Sequence, residues 1–198
     1  GRAAVKRWSV LHLSAADGSS RIEAIGDPAM IGVVDLALAA GREEPVTVLG
    51  TGPLAASPDP GLSWLVAVGA SPVWGGLMPD FLGPAGPAWA SLGIDALVLH
   101  GRAETPCALA LAGEPGAPAL HRLPLPAEVF NGQRGGRTRP APGEVGTEAL
   151  RLTLLDLGWS GLPSDSCVLL TGPAALRSNL GSLRLQALMG AAEPEADR

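Results

Sequence analysis

The segment LGTGPLAASPDPGLSWLVAVGASPVWGG, residues 49–76, decides how this chain can fold. An apolar strand-like stretch runs into Thr-Gly-Pro at 51–53, a turn-rich loop follows, and a second apolar run ends in Ser-Pro and Gly-Gly. The second run, SWLVAVGAS, is continuously apolar rather than alternating, which is typical of a strand buried on both faces. The large side chain in the middle of the segment is Trp64. The pattern predicts two strands joined by a constrained loop of the kind that often binds a ligand.

The sequence before this segment predicts a β-hairpin and then a helix. Residues 10–13 form the first strand of the hairpin, Asp17-Gly18 the turn and residues 21–25 the return strand. DPAMIGVVDLALAAG follows, with Asp27 as a helix N-cap, Pro28 in the first turn and Gly41 as the stop signal.

The sequence after the segment predicts alternating helices and strands. GPAGPAWASLG is a short helix ended by Gly93, DALVLHGRA and PCALALAG are strands, and PALHRLPLP is an edge-like segment because its prolines donate no ladder hydrogen bonds. TEALRLTLLDLG and PAALRSNLGSLRLQALMG are predicted as helices on either side of the strand CVLLTGP. VLLTGP at 168–173 repeats VLGTGP at 48–53, which is weak evidence for an internal duplication.

Composition excludes several classes of function. The chain has 198 residues, net charge −5, one lysine among 14 basic residues, no Tyr and two Phe, so a nucleic-acid binder is disfavoured. No apolar run approaches the ~20 residues of a membrane span, and residues 1–10 lack a signal-peptide core, which indicates a cytoplasmic protein. Cys107, Cys167 and three scattered histidines supply neither a zinc site nor an iron–sulfur cluster, so no metal site is predicted.

The order of motifs resembles the N-terminal domain of the tungsten-containing aldehyde ferredoxin oxidoreductase family. LGIDALVLHGRAETP at 92–106 is similar to the family's AGYDAIVIEGKAEKP, and the Thr-Gly-Pro and Ser-Pro…Gly-Gly steps follow in the same order and spacing. The resemblance covers about residues 8–190. It implies an α+β fold of duplicated sheet/helix units forming two packed sheets, which would make residues 1–190 one domain and residues 191–198 a polar tail.

In that family, the resemblance implies, the two sheets cradle a bis-pyranopterin that carries tungsten beside an iron–sulfur cluster. The pterin pair has two phosphates, which need positive charge and backbone amides. The family's GGRG motif falls on Gly32 to Asp35, where its Arg becomes Val34 and a Gly becomes Asp35. An acid at that place repels a phosphate by about as much as an arginine attracts it.

Two more cofactor-binding motifs of the family are altered. The Arg of its GRFSVV strand falls on Trp64, and its NAGG falls on Asp80 to Gly83, so that small residues become Phe81 and Leu82. The family's GRGGLGAVMG after the last helix is missing. We expect Trp64, Phe81 and Leu82 to fill the space where the cofactor would lie, and no catalytic residue is predicted.

Two further features have competing interpretations. Arg134, Arg137 and Arg139 form the basic cluster RGGRTR, which is either an anion or partner site or a solvated loop. The tryptophans at 64, 74 and 89 form either a contact patch or part of the core.

The resemblance and the altered motifs give three hypotheses for function. The first is a cofactor-free accessory or structural subunit that docks a full-length oxidoreductase or a copy of itself. The second is a component that still binds a tungsten- or molybdenum-bis-pyranopterin, completed by other chains or domains of an aldehyde:ferredoxin-type oxidoreductase. The third is a small-molecule binder that reuses the cleft, with the arginine loop as its lid.

Overall fold

A six-stranded mixed sheet is the centre of the fold. The computed structural model describes residues 7–26, 31–41, 46–55, 59, 61–71, 75–83, 85–125, 167–170 and 184–187. The strands are β1 Trp8–Ser14, β2 Ser20–Ile25, β3 Thr47–Gly50, β4 Leu65–Ala70, β5 Leu77–Gly83 and β6 Ala96–His100. Their order across the sheet is β2-β1-β6-β3-β4-β5, with β1 and β6 parallel and all other neighbours antiparallel. The predicted hairpin of β1 and β2 is confirmed.

Both faces of the sheet are covered, because its central strands carry apolar side chains on alternate sides. Helix α1, Val33–Ala40, covers one face, which we call the α1 face. Helix α2, Gly86–Ser91, covers the other, the α2 face, together with the hairpin of β7 Cys107–Ala112 and β8 Ala119–Pro124. The buried residues on the α1 face are Trp8, Val10, Val33, Leu36, Ala37, Val46, Val48, Val68, Ala96 and Val98. Those on the α2 face are Leu11, Leu13, Leu49, Leu65, Ala67, Leu82, Ala85, Trp89, Ile94 and Leu97.

The two helices end where glycine was expected to end them. The amide of Gly41 donates to the Ala37 carbonyl at 2.8 Å and closes α1. After α2, Gly93 has φ +66, and a Cβ there would lie 2.2 Å from the amide nitrogen of Gly116. Only glycine fits this turn, so the short helix and its stop are confirmed. The predicted start of α1 is wrong, because the helix begins at Val33 and its N-cap is the extended Gly32 rather than Asp27. Asp27 and Pro28 themselves lie outside the described residues.

Asp95 joins three elements just before β6. Its Oδ2 accepts the amide of Ser9 at 2.8 Å, and its own amide donates to the Ser9 carbonyl at 2.8 Å. Its carbonyl accepts from Trp89 Nε1 at 3.3 Å and from the Thr51 amide at 3.4 Å. The backbone at the starts of β1 and β6 is therefore fixed to α2 and to the end of β3.

The outer strands of the six-stranded sheet differ from the inner ones. On one side, β2 is exposed from Ser20 to Ala24 and carries Arg21 and Glu23. On the other side, β5 has Pro79 in its middle, opposite Val68 of β4. β5 was not predicted, since Pro and Asp within LMPDFLG disfavour a strand. Proline is tolerated here because β5 is the outermost strand of this sheet among the described residues.

The C-terminal third has a smaller strand pair of its own. β9 Cys167–Leu170 pairs antiparallel with β10 Arg184–Ala187. β9 confirms the strand predicted in CVLLTGP. Its sequence VLL at 168–170 is similar to VLG at 48–50 in β3. β10 corrects the last predicted helix, since residues 184–187 are extended and paired with β9, and strand pairing overrides helix propensity there. The predicted helix of TEALRLTLLDLG and the tail 191–198 lie outside the described residues. The α+β class is confirmed.

Candidate functional site

The aligned cofactor-motif residues meet at one end of the six-stranded sheet, which we call the Gly50 end. Gly50 at the end of β3 pairs with Val66 near the start of β4 and with Ala96 at the start of β6. Val66 in turn pairs with Phe81 near the end of β5. A Cβ on Gly50 would lie 2.9 Å from Cγ2 of Val33, so the first turn of α1 sits on this end too. The topology thus brings together residues that are up to 63 positions apart, Val33 and Ala96.

The first turn of α1 carries its own anion. Oδ2 of Asp35 accepts the backbone amides of Ile31 and Gly32, each at 2.9 Å. Free amides at a helix N-terminus attract phosphates and carboxylates, because they point outward and the helix dipole adds partial positive charge. Here a side-chain carboxylate of the same chain already binds two of them. Val34 lies next to this carboxylate and is 41% exposed.

Trp64 and Phe81 form an aromatic pair on the surface. Their ring centroids are 6.5 Å apart and the ring planes meet at 85°, an edge-to-face contact. Both remain exposed, Trp64 at 41% and Phe81 at 65%. Alternation along β5 from the Val66–Phe81 pairing places Phe81 on the α1 face of the sheet.

The rest of the Asp80 to Gly83 segment points elsewhere. Leu82 is buried on the α2 face with Ala85 and Trp89, so it belongs to the core rather than to the surface of the Gly50 end. Alternation places the exposed Asp80 on the same side as Leu82, and Gly83 pairs with Leu65. Of the three side chains expected to fill the cofactor space, Trp64 and Phe81 are together and Leu82 is apart from them.

The loop between β3 and β4 is held by a close backbone approach. The amide of Gly86 donates to the Ser63 carbonyl at 2.7 Å. A Cβ at position 86 would lie 2.7 Å from the carbonyl oxygens of both Ser63 and Ala55. The start of α2 therefore fixes both ends of this loop, from which Leu54 and Leu62 project into solvent at 59% and 42% exposure.

The Gly50 end carries a set of exposed apolar side chains beside the exposed charges of Asp59 in the β3–β4 loop and Arg7 before β1. It has the start of α1, the loop after β3, the residues before β4 and the end of β5, and each contributes a large exposed hydrophobic side chain. These are Ile31, Val34, Leu54, Leu62, Trp64 and Phe81, which we call the apolar rim. Asp35 is the ionised group at the helix start, and no arginine or lysine among the described residues is found in these segments. Sequence reasoning missed Ile31, Leu54 and Leu62, since isolated apolar residues in loops carry no periodic signal.

Other expected site residues are not brought to this end. Trp89 is in the core and donates to the Asp95 carbonyl, while Trp74 lies outside the described residues. Arg134, Arg137 and Arg139 also lie outside them. Within the described ranges, no three His, Cys, Asp or Glu side chains are placed to hold a metal ion, and no helix is long and apolar enough to cross a membrane.

Comparison with known proteins agrees with the resemblance. Residues 32–115 match the family model "Aldehyde ferredoxin oxidoreductase, N-terminal domain". The chain is 33% identical over 148 residues to the glyceraldehyde-3-phosphate:ferredoxin oxidoreductase of Pyrococcus furiosus, a match that covers 72% of this chain and 21% of that protein. The chain thus spans about a fifth of the length of the curated relative it matches.

A solved structure shares the fold. It is the active site complex BamBC of benzoyl coenzyme A reductase, determined with 1,5-dienoyl-CoA. The superposition has a TM-score of 0.64 at 15% identity and covers 94% of this chain and 29% of that one. At this identity the likeness concerns the fold alone.

Proposed function

We propose that this chain, which carries an aldehyde ferredoxin oxidoreductase N-terminal domain, is a cytoplasmic structural or accessory unit that docks further oxidoreductase polypeptide and does not itself hold a pterin. The observation that carries the proposal is the carboxylate of Asp35, bound by the amides of Ile31 and Gly32 at 2.9 Å. By the resemblance, the Gly32 amide belongs to the stretch that aligns with a phosphate-binding motif of the family, and the Ile31 amide directly precedes that stretch. A phosphate there would have to displace a carboxylate of the same charge sign.

Charge at the Gly50 end argues in the same direction. A doubly phosphorylated ligand needs cations or free amide donors within hydrogen-bond distance. The aligned positions offer Val34 and Trp64, whose exposed surfaces are apolar, and Asp35, which is an acid. Two unit charges of like sign 4 Å apart repel by about 4 kcal/mol at an effective dielectric constant of 20. The described residues at the aligned positions therefore do not fit a phosphorylated pterin, and the exposed Arg7, which precedes β1 at the same end of the sheet, is not one of those positions.

The apolar rim supports the docking part of the proposal. Its six side chains are between 41% and 79% exposed, at one end of a sheet whose two faces are already covered. Apolar surface of this kind is typical of an interface. In both matches above, the equivalent region is accompanied by much more chain, since it makes up 21% and 29% of those proteins. We therefore propose that the apolar rim binds oxidoreductase polypeptide equivalent to the remaining chain of those two proteins.

The claim that Asp35 prevents phosphate binding at the start of α1 is tested by restoring the residues of the family's GGRG motif. The variant Val34→Arg/Asp35→Gly removes the internal carboxylate and adds a cation, and both positions are exposed enough to accept the change. Inorganic phosphate is titrated with each protein and followed by ³¹P NMR line width. We expect no binding to the natural chain and measurable binding to the double variant. Val34→Arg alone is the control, because it keeps Asp35 on the amides and should stay silent. Equal phosphate binding by the natural chain would contradict the proposal.

The presence of a protein partner and the absence of a pterin are tested in one experiment, in which the chain is purified from its native cells together with the proteins bound to it. Native mass spectrometry is expected to detect a complex with an oxidoreductase chain. Replacing Phe81 and Leu54 by Ser should dissociate it, while Ile22→Ser on β2, away from the rim, should not. Elemental analysis should find no tungsten or molybdenum assigned to this chain.

One observation favours the alternative, a pterin-binding component completed by other chains or domains. The identity of 33% to a ferredoxin oxidoreductase extends over 148 residues, which is far more of the chain than its described strands contain. Under that alternative, stoichiometric tungsten or molybdenum would remain with this chain after it is separated from its partner. The Val34→Arg/Asp35→Gly variant would then raise metal retention rather than create phosphate binding anew.

A further inference from the structure

Two histidines meet at the end of the sheet opposite the Gly50 end. His12 of β1 and His100 of β6 are 88 positions apart in sequence, yet Nδ1 of His12 lies 2.9 Å from Nε2 of His100. The rings are nearly parallel, with centroids 5.2 Å apart and a 21° angle between planes. Next to this contact, the amide of Ala15 donates to the His100 carbonyl at 2.8 Å. The imidazole pair is therefore a side-chain link between the parallel strands β1 and β6.

Only one proton fits between the two ring nitrogens. In a neutral imidazole one nitrogen donates and the other accepts, so either ring can supply the shared proton. Adding one proton keeps this bond, because the new N–H forms on an outer nitrogen. Adding a second proton places two N–H groups 2.9 Å apart and breaks the bond. The conclusion holds for both tautomers.

The surroundings of His12 set which protonation states are tolerated. From β2, Nη1 of Arg21 lies 2.5 Å from Oε2 of Glu23, and the same Oε2 lies 3.4 Å from Nε2 of His12. Nε2 of His12 is buried without a hydrogen-bond partner among the described residues. On β6 the facing titratable group is His100, and the described part of α1 on this face packs only apolar side chains against the sheet. Burial, and then the charge of Arg21, lower the pKa of His12 below 6.5, while Glu23 opposes the shift.

We propose that His12 and His100 form a proton-sensitive latch, a side-chain bond between β1 and β6 that stabilises the fold when the pair carries at most one extra proton and is lost when both rings are charged. An unfolded chain binds two protons at this pair below the ordinary pKa of histidine, whereas the latched fold binds one at most. Unfolding is therefore coupled to proton uptake. Each pH unit below that pKa lowers the folding equilibrium constant by about tenfold for each proton taken up.

The test is the pH dependence of unfolding of the full chain between pH 7.5 and 5, above the range in which carboxylates titrate. His12→Asn keeps a donor or acceptor near the position of Nδ1 but cannot be protonated. His100→Gln does the same for Nε2. We expect the natural chain to lose about tenfold in folding equilibrium constant per pH unit below about pH 6.5, and both variants to lose severalfold less. His121→Gln is the matched control, because His121 is exposed on β8 and outside the pair.

Two results would overturn the latch. One is a pH dependence of the natural chain that His12→Asn and His100→Gln leave unchanged. The other is a flattening by His121→Gln equal to theirs. If either variant fails to fold, histidine titration of the natural chain by NMR decides: the latch requires His12 to titrate below 6.5 and its resonances to respond when His100 is replaced. The phosphate and partner experiments at the Gly50 end do not depend on this outcome.

Discussion

Gly86 at the start of α2 approaches Ser63 so closely that its amide donates to the Ser63 carbonyl at 2.7 Å and no Cβ fits between them. The contact joins the helix on the α2 face to the β3–β4 loop, which carries Leu54, Leu62 and Trp64. The position of half of the apolar rim therefore depends on a residue without a side chain.

Gly86→Ala should destabilise the fold by about 1–3 kcal/mol, because the methyl group would lie 2.7 Å from two carbonyl oxygens and the helix or the loop must move. Urea unfolding measures the change. Gly52→Ala is the matched control, since a Cβ at Gly52 meets no atom within 4 Å. An equal loss for both variants would mean that the close approach is not the cause.

Leu82→Ala and Phe81→Ala should differ sharply although the residues are neighbours on β5. Leu82 is 8% exposed in the core of the α2 face, so its truncation leaves a cavity and should cost about 2–5 kcal/mol. Phe81 is 65% exposed, and its loss removes mainly the contact with Trp64, about 0.5–1.5 kcal/mol. Chemical denaturation of both variants checks the order. A larger effect of Phe81→Ala would place its ring in the core instead.

Asp35→Ala should lower the free energy of unfolding by about 1 kcal/mol, because the amides of Ile31 and Gly32 lose their acceptor and the helix start loses a favourable negative charge. Asp35→Asn keeps an acceptor oxygen and should lose less. Thermal unfolding at low salt measures both. Equal losses would show that charge, rather than hydrogen bonding, dominates at this cap.

Asp17 in the β1–β2 turn should titrate far below an ordinary aspartate. Hydrogen bonds from the amide of Ser19 at 2.9 Å and from side-chain hydroxyls, including that of Ser19 at 2.8 Å, lower its pKa to about 2. Because the folded pKa is lowered, this stabilisation is present above pH 3.8 and is lost as pH falls toward about 2. Carboxyl ¹³C NMR titration measures the midpoint, and Ser19→Ala should raise it. A midpoint near 3.8 in the natural chain would disprove the turn geometry.

The local elements could be read from the sequence because their signals are local. Asp17-Gly18 marks the hairpin turn, Gly41 and Gly93 end helices, and the prolines in and around β8 mark an edge-like strand. The helix predicted over residues 184–187 was wrong, because the helical spacing behind it came from leucines outside them, Leu176, Leu180, Leu183 and Leu188. Strand pairing with β9 overrides helix propensity there.

The sites could be predicted only where a resemblance supplied them. It identified Asp35, Trp64 and Phe81 as residues of one site, and the sheet topology does bring them to one end. It could not show that Leu82 faces the opposite side, because the side of a residue depends on the register of β5. The contact of His12 with His100 depends on the parallel pairing of β1 with β6, for which no sequence signal existed.

The two borders of the six-stranded sheet limit how any partner can bind. On β5, Pro79 lacks the N–H that strand addition requires, and on β2 the charges of Arg21 and Glu23 line the exposed edge. Extension of the sheet by a strand from another molecule is therefore disfavoured on both sides. Under the proposed function, we therefore expect assembly with other polypeptides to use side-chain packing against the Gly50 end of the sheet rather than strand pairing at its borders, an arrangement that also disfavours edge-to-edge polymerisation.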